Sequence, residues 1–198
     1  MLICVVFVRQ RSANYSSLCT VFRYNPQTNI TRGIIFGNRS VPAPEIISEF
    51  EKCPHPLLLP LLSLEVTLSH NVDDLVKDRN TIWEMEDATG YGIRGDGEDE
   101  VNFVDYRTMV KSLSQARSGI CVELSDLRLT HTCVGYILKK LPFVDERLSP
   151  AVRDTLRESS SRLQERAEYT MSAIEHAIES GHKERLDGHH ATVCPFNV

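Results

Sequence analysis

"HPLLLPLLSLEVTL", residues 55–68, carries seven leucines in fourteen positions and one carboxylate, Glu65. Its reading decides between a membrane protein and a helical domain in water. A spanning helix needs about 20 consecutive apolar residues, whereas this run is broken by Glu65 and gives way to His70, Asp73, Asp74, Lys77, Asp78 and Arg79. It is too short to span. Leu57, Leu61, Leu64, Leu68, Val72, Leu75 and Ile82 instead recur at three-, four- and seven-residue steps, the period of a helix with one apolar face. The spacing predicts one long amphipathic helix over 55–89. Pro56 suits its first turn, where a missing N–H costs nothing, Pro60 sits in the opening turns or kinks them, and Gly90 suits its end.

The signals before this helix change character. "LCTVFRY" (18–24) and "ITRGIIF" (30–36) are β-branched and aromatic runs separated by "NPQTN", whose proline fits the second position of a turn. They predict a hairpin over 18–36, with "ICVVFV" (3–8) as a third strand. "APEIISEFEKC" (43–53) reads as a short helix stopped by Pro54.

After the first long helix, "GYGIRGDGEDE" (90–100) is a glycine-rich, acidic connection. A second periodic element runs from about 101 to 141, with Leu113, Ile120, Leu124, Leu127, Val134, Leu138 and Leu141 forming a near-heptad, coiled-coil-like stripe broken by Arg117 and His131. Asp99 and Glu100 precede it and Lys139 and Lys140 close it, which suits the helix dipole, and Pro142 is expected to end it. A third helix opens at "SPAV", where Ser149 caps and Pro150 takes the first position. Leu156, Leu163, Ala167, Met171, Ile174 and Ile178 give its apolar face as far as about residue 187. Helices of about 35–40 residues are each ~50–60 Å long. The expected fold is therefore α+β, mainly α: a β-rich segment with a short helix over 1–53, then an elongated antiparallel bundle of three long helices over 54–198, the two forming one cooperative domain.

Composition narrows the function. The 198 residues are 41% hydrophobic and 25% charged, the range of globular protein, and the net charge of −5 leaves no basic footprint for nucleic acid. Cys4, Cys19, Cys53, Cys121, Cys133 and Cys194 are spread singly, without C-x-x-C pairs, so reduced thiols in a cytoplasmic chain are expected. "MLICVVFVRQR" lacks the basic region of a signal peptide, so the sequons at Asn14, Asn29 and Asn38 read as chance matches.

Few residues offer chemistry. Gly90, Gly92 and Gly95 match G-x-G-x-x-G, but a helix rather than a strand precedes them and the acids after them repel phosphate. Asp96, Glu98, Asp99 and Glu100 are the only metal candidates, offering oxygen ligands that fit a weak association with Mg²⁺ but lacking the order of an EF-hand. His176, His182, His189, His190 and Cys194 crowd one end, yet residues 176 and 182 stand about 240° apart round a helix and cannot face one ion together. His131 reads as a hydrogen-bonded core histidine, and Glu84, Glu86 and Asp87 beside Trp83 as a solvated helix end. With no nucleophile elbow and no H-E-x-x-H, no catalytic residue is assigned and no enzyme is expected.

The order of these motifs resembles the fungal CorA-like magnesium transporter proteins. In that family a proline-flanked leucine run opens a long helix ending near an E-x-E-x-x-T-G-like segment, here His55 to Leu62 and Glu84 to Gly90. A later helix carries L-x-x-R-x-E, matched by Leu163, Arg166 and Glu168, and leads towards V-x-x-F-N, matched loosely by Val193, Phe196 and Asn197. The likeness covers roughly residues 18 to 197. It implies a mixed strand and helix domain on the cytoplasmic face of a membrane, whose last helix is a stalk feeding two membrane helices. The Gly-Met-Asn pore signature and any spanning stretch are missing from this sequence, so the expectation is a truncated or derived form that cannot conduct ions alone. No family metal site maps onto these residues. The expected role is self-association or binding of a partner helix, with an Mg²⁺-responsive regulatory module as the alternative.

Overall fold

The computed structural model describes residues 3–8, 18–25, 30–37, 43–88 and 106–193. Three strands come first: β1 (Ile3–Val8), β2 (Leu18–Asn25) and β3 (Ile30–Gly37). They form one antiparallel sheet in the order β1-β2-β3, with Val5 opposite Phe22 and Phe22 opposite Gly33. Four helices follow: α1 (Ala43–Lys52), α2 (Leu58–Ala88), α3 (Tyr106–Arg147) and α4 (Pro150–Val193). The α+β, mainly helical class expected from the sequence is the observed one. The turn expected at 26–29 and the connection at 90–100 lie outside the described residues, as do the sequon asparagines Asn14, Asn29 and Asn38.

The chain divides into two compact units, one of Met1–His70 with Thr130–Ile174, the other of Asn71–Leu129 with Glu175–Val198. In the first, α1 closes with Cys53 N–H donating to Glu49 O, and a tight turn then leads into α2 through Leu58 N–H on His55 O. Pro60 is the third residue of α2, where a backbone N–H would have no intrahelical partner, so it opens the helix without breaking it. Pro56 lies in the preceding turn. Leu57 to Leu64 are buried on every side rather than along one stripe, which makes the leucine run the interior of this unit. Amphipathic character begins only after it.

α3 and α4 meet in a two-residue connection, Leu148 and Ser149. Ser149 caps α4 as expected, its Oγ accepting from Val152 N–H at 3.4 Å. The other side of the junction is closed by Arg153, whose guanidinium donates to Asp145 O at 3.0 Å and Glu146 O at 2.9 Å and so satisfies the last carbonyls of α3. Val152, Leu148 and Leu156 pack with Tyr24 of β2, seating the sheet on this corner. Tyr24 is 2% exposed, and burial pushes its phenol above the ordinary value.

Three expectations need correction. Pro142 does not end the second long helix; α3 runs through it to Arg147. The ring removes one hydrogen bond near the helix end, while the burial of Val144, and of Leu148 just past the end, holds the chain in place beyond it. On α2, Val72 is exposed and Asn71 takes the buried place. On α4, Met171 and Ile178 are only half-buried, and the interior positions are Thr170 and Ile174 in the first unit and Gly181 in the second.

Spacing explains the last case. In the first unit, buried Thr130, Val134, Ile137, Leu141 and Val144 of α3, with Leu148 just past its end, alternate steps of four and three. The interior residues of α4 are Leu156, Ser159, Leu163, Ala167, Thr170 and Ile174, which include two successive four-residue steps at 159, 163 and 167. Such a doubled step is an insertion of four residues into the heptad repeat. In the second unit, Met109, Ala116, Ile120, Glu123 and Leu127 of α3 keep the heptad, and Asn71, Leu75 and Ile82 of α2 do the same.

Candidate functional site

Polar side chains inside the first unit gather into two networks. The first centres on Asp145, near the end of α3. His55, 0% exposed, places Nε2 at 3.1 Å from Asp145 Oδ1, and Ser160 Oγ donates to that same oxygen at 3.1 Å. The other ring nitrogen, Nδ1, accepts the backbone N–H of Leu57 at 3.1 Å. An acceptor nitrogen carries no proton, so the proton sits on Nε2 and is donated to the carboxylate. His55 thus caps the turn into α2 with one nitrogen and ties that turn to α3 with the other.

This is a serine, an aspartate and a histidine in contact, but the order is wrong for nucleophilic catalysis. A catalytic serine gives its proton to the histidine, and the aspartate orients the ring from the far side. Here both serine and histidine donate to the aspartate. An open pocket of about 390 Å³ lies alongside, lined among others by Pro142, Asp145, Arg153, Arg157, Ser160 and Gln164. Of its two guanidinium groups, that of Arg153 is committed to the carbonyls that end α3.

The second network centres on Arg166 of α4. Its Nε donates to Glu65 Oε1 at 2.7 Å and its Nη2 to Glu65 Oε2 at 2.8 Å, while Nη1 bonds Glu49 Oε2 of α1. Thr170 Oγ1 adds a bond to Glu65 Oε1 at 3.1 Å, and Lys52 Nζ one to Glu49 Oε1 at 2.9 Å. One guanidinium therefore holds α1 and α2 against α4. Lys52, then Arg166, hold the Glu49 carboxyl below its ordinary value, and the two carboxylates raise Arg166 further above the range in which it could lose its proton. Nearby, the buried Cys53 thiol donates to Ser159 O at 3.4 Å, and burial pushes its pKa up, away from the thiolate needed for reactivity.

Asp96, Glu98, Asp99 and Glu100 lie outside the described residues, as do the side chains of His189, His190 and Cys194. His176 is exposed, and His182 is half-buried with Nε2 accepting from Arg128 Nη2 at 2.9 Å. His131 is half-buried too. Glu84 and Asp87 are exposed and Glu86 is half-buried; Trp83 is 54% exposed with the Arg79 guanidinium 4.8 Å over its ring. Cys53, Cys121 and Cys133 are free thiols. Among the described residues, no group of three or more His, Cys, Asp or Glu side chains converges as metal ligands, and no helix is long and apolar enough to cross a membrane. Sequence reasoning missed the roles of His55, Glu65, Asp145 and Ser160. The available hint was a histidine immediately before a proline and a helix start, the position of a cap.

Compared with known proteins, this chain matches no protein-family model, no curated protein and no solved structure.

Proposed function

We propose that this chain is a non-enzymatic helical scaffold of the cytoplasm that works through contacts with itself or with a partner helix, in the manner of the non-conducting part of a CorA-like divalent-metal transporter. The observation that carries the reading is the engagement of the first unit's buried polar groups with one another. His55 spends one ring nitrogen on the turn into α2 and the other on Asp145 of α3, and a general base needs a nitrogen with a free lone pair facing substrate. Arg166 spends all three of its nitrogens on two carboxylates. These residues act as fasteners. The resemblance in motif order, from the leucine run through Arg166 and Glu168, supports the transporter-like part of the reading.

Light scattering of the purified chain over a range of concentrations tests it. A mass that rises with concentration is expected from self-association, and a fixed monomer mass removes that arm. The alternative, an Mg²⁺-responsive module, is favoured by the acid run at 96–100. It requires melting temperature to rise in millimolar Mg²⁺, because a ligand that prefers the folded state stabilises it. An unchanged melt removes it.

A further inference from the structure

Gly119, Gly135 and Gly181 all lie inside helices, and close packing accounts for two of them. A Cβ on Gly119 would overlap the Asp78 carboxylate, and one on Gly181 would come within 2.9 Å of Leu124 Cδ2. Gly135 of α3 is different: nothing lies within 4 Å of where its Cβ would stand. A mid-helix glycine weakens a helix relative to alanine, and no contact among the described residues requires this one.

What surrounds the notch is aromatic and cationic. Tyr136 is 51% and Phe143 38% exposed, seven residues apart on α3. Lys140 Nζ lies 5.4 Å from the Tyr136 ring and 5.5 Å from the Phe143 ring, and Arg147 stands 4.7 Å over Phe143. Lys139 is exposed and, among the described residues, has no carboxylate partner. At about 100° per residue, Gly135, Lys139, Phe143, Tyr136, Arg147 and Lys140 fill a continuous arc of about 140°, opposite the buried Val134, Ile137, Leu141 and Val144. One carboxylate, Glu146, shares that arc with the three cations.

We infer that this face of α3 docks an acidic amphipathic helix of a partner protein, its aliphatic ridge seated over the Gly135 notch beside Tyr136 and Phe143, its carboxylates meeting Lys139 and Lys140. The inference rests on the scaffold reading and names its partner. Charge selects the occupant: the same face of a second copy would set Lys139 and Lys140 against like charges. Shape selects it as well, since a bare notch admits the ridge of a rod and gives nothing to a flat bilayer.

The test uses the full chain and a fluorescent three-heptad peptide with leucine at its core positions and glutamate flanking them. The same peptide with lysine for glutamate, and phosphatidylserine vesicles, are the comparisons. Saturable binding of the glutamate peptide is expected, weakened about tenfold or more by the Lys139→Glu, Lys140→Glu double variant. Gly135→Leu should weaken it comparably while leaving the melting temperature equal or higher, because the site is open and leucine is the better helix former. Equal binding of both peptides, an unaltered affinity in Gly135→Leu, or vesicle binding without peptide binding would each overturn the inference. A chain that self-associates yet ignores the glutamate peptide removes this inference and leaves the scaffold reading standing. Peptide binding by a chain that stays monomeric supports it and confines that reading to partners.

Discussion

Arg166 grips Glu65 through two parallel hydrogen bonds, Nε to Oε1 at 2.7 Å and Nη2 to Oε2 at 2.8 Å, leaving Nη1 for Glu49. Lysine carries the charge but not the planar fork, so it can keep one carboxylate and not both. Arg166→Lys is expected to destabilise the chain by about 1 kcal/mol and Arg166→Ala by roughly 1–3 kcal/mol, discounted for a pair that is partly exposed. Urea unfolding of the three proteins side by side checks this; equal midpoints would show the fork to be idle.

The same network sets an acid response. Because Glu49 is held below its ordinary value near 4.5 by Lys52 and Arg166, the unfolded chain binds the proton first as acid is added. The stabilisation is therefore complete above that ordinary value and is lost as pH falls through the lower, folded one. Unfolding midpoints measured from about pH 6 down to about pH 3 should decline less steeply in Glu49→Gln than in the parent.

Asn71 occupies a heptad interior position of the second unit at 0% exposure, and among the described residues neither Oδ1 nor Nδ2 has a hydrogen-bond partner. An unpaired buried amide costs about 1–3 kcal/mol. Asn71→Leu should accordingly raise stability by about that amount and lift the melting temperature by several degrees. A lower melting temperature would mean that leucine overpacks the site or that the amide is paired in solution.

His55 offers a prediction that separates a fastener from a base. Nitrogen NMR of the imidazole should find Nε2 protonated and Nδ1 bare, and His55→Ala should lower stability by roughly 2–4 kcal/mol, because it removes a buried ring and leaves the Asp145 carboxylate with Ser160 but not the imidazole. An Nδ1-protonated ring would contradict the geometry.

Much of the fold was legible in the sequence because its signals are local. Strands β2 and β3 announce themselves by β-branched runs, and Ser149 with Pro150 marks the start of α4 without reference to anything distant. Pro142 misled for the opposite reason: a local helix breaker was outweighed by the burial of Val144 and Leu148. Hydrophobicity alone also chose Met171 over Thr170, whose hydroxyl is a good interior group only because its one proton has Arg166 O and Glu65 Oε1 within reach as acceptors. The candidate site was the least legible part. His55 stands in the most conspicuous stretch of the chain, yet its role depends on Asp145, 90 residues away, and no spacing rule links the two.

The doubled four-residue step on α4 has a consequence for Arg166. Had steps of three and four kept alternating from Leu156 through Ser159 and Leu163, the next beat would have fallen on residue 166 and driven a guanidinium into dry surroundings. The late beat falls on Ala167 instead, and the cation is left at the rim, where Glu49 and Glu65 reach it from either side. Three extra residues inserted after Leu163 would restore the regular cadence and break this clasp.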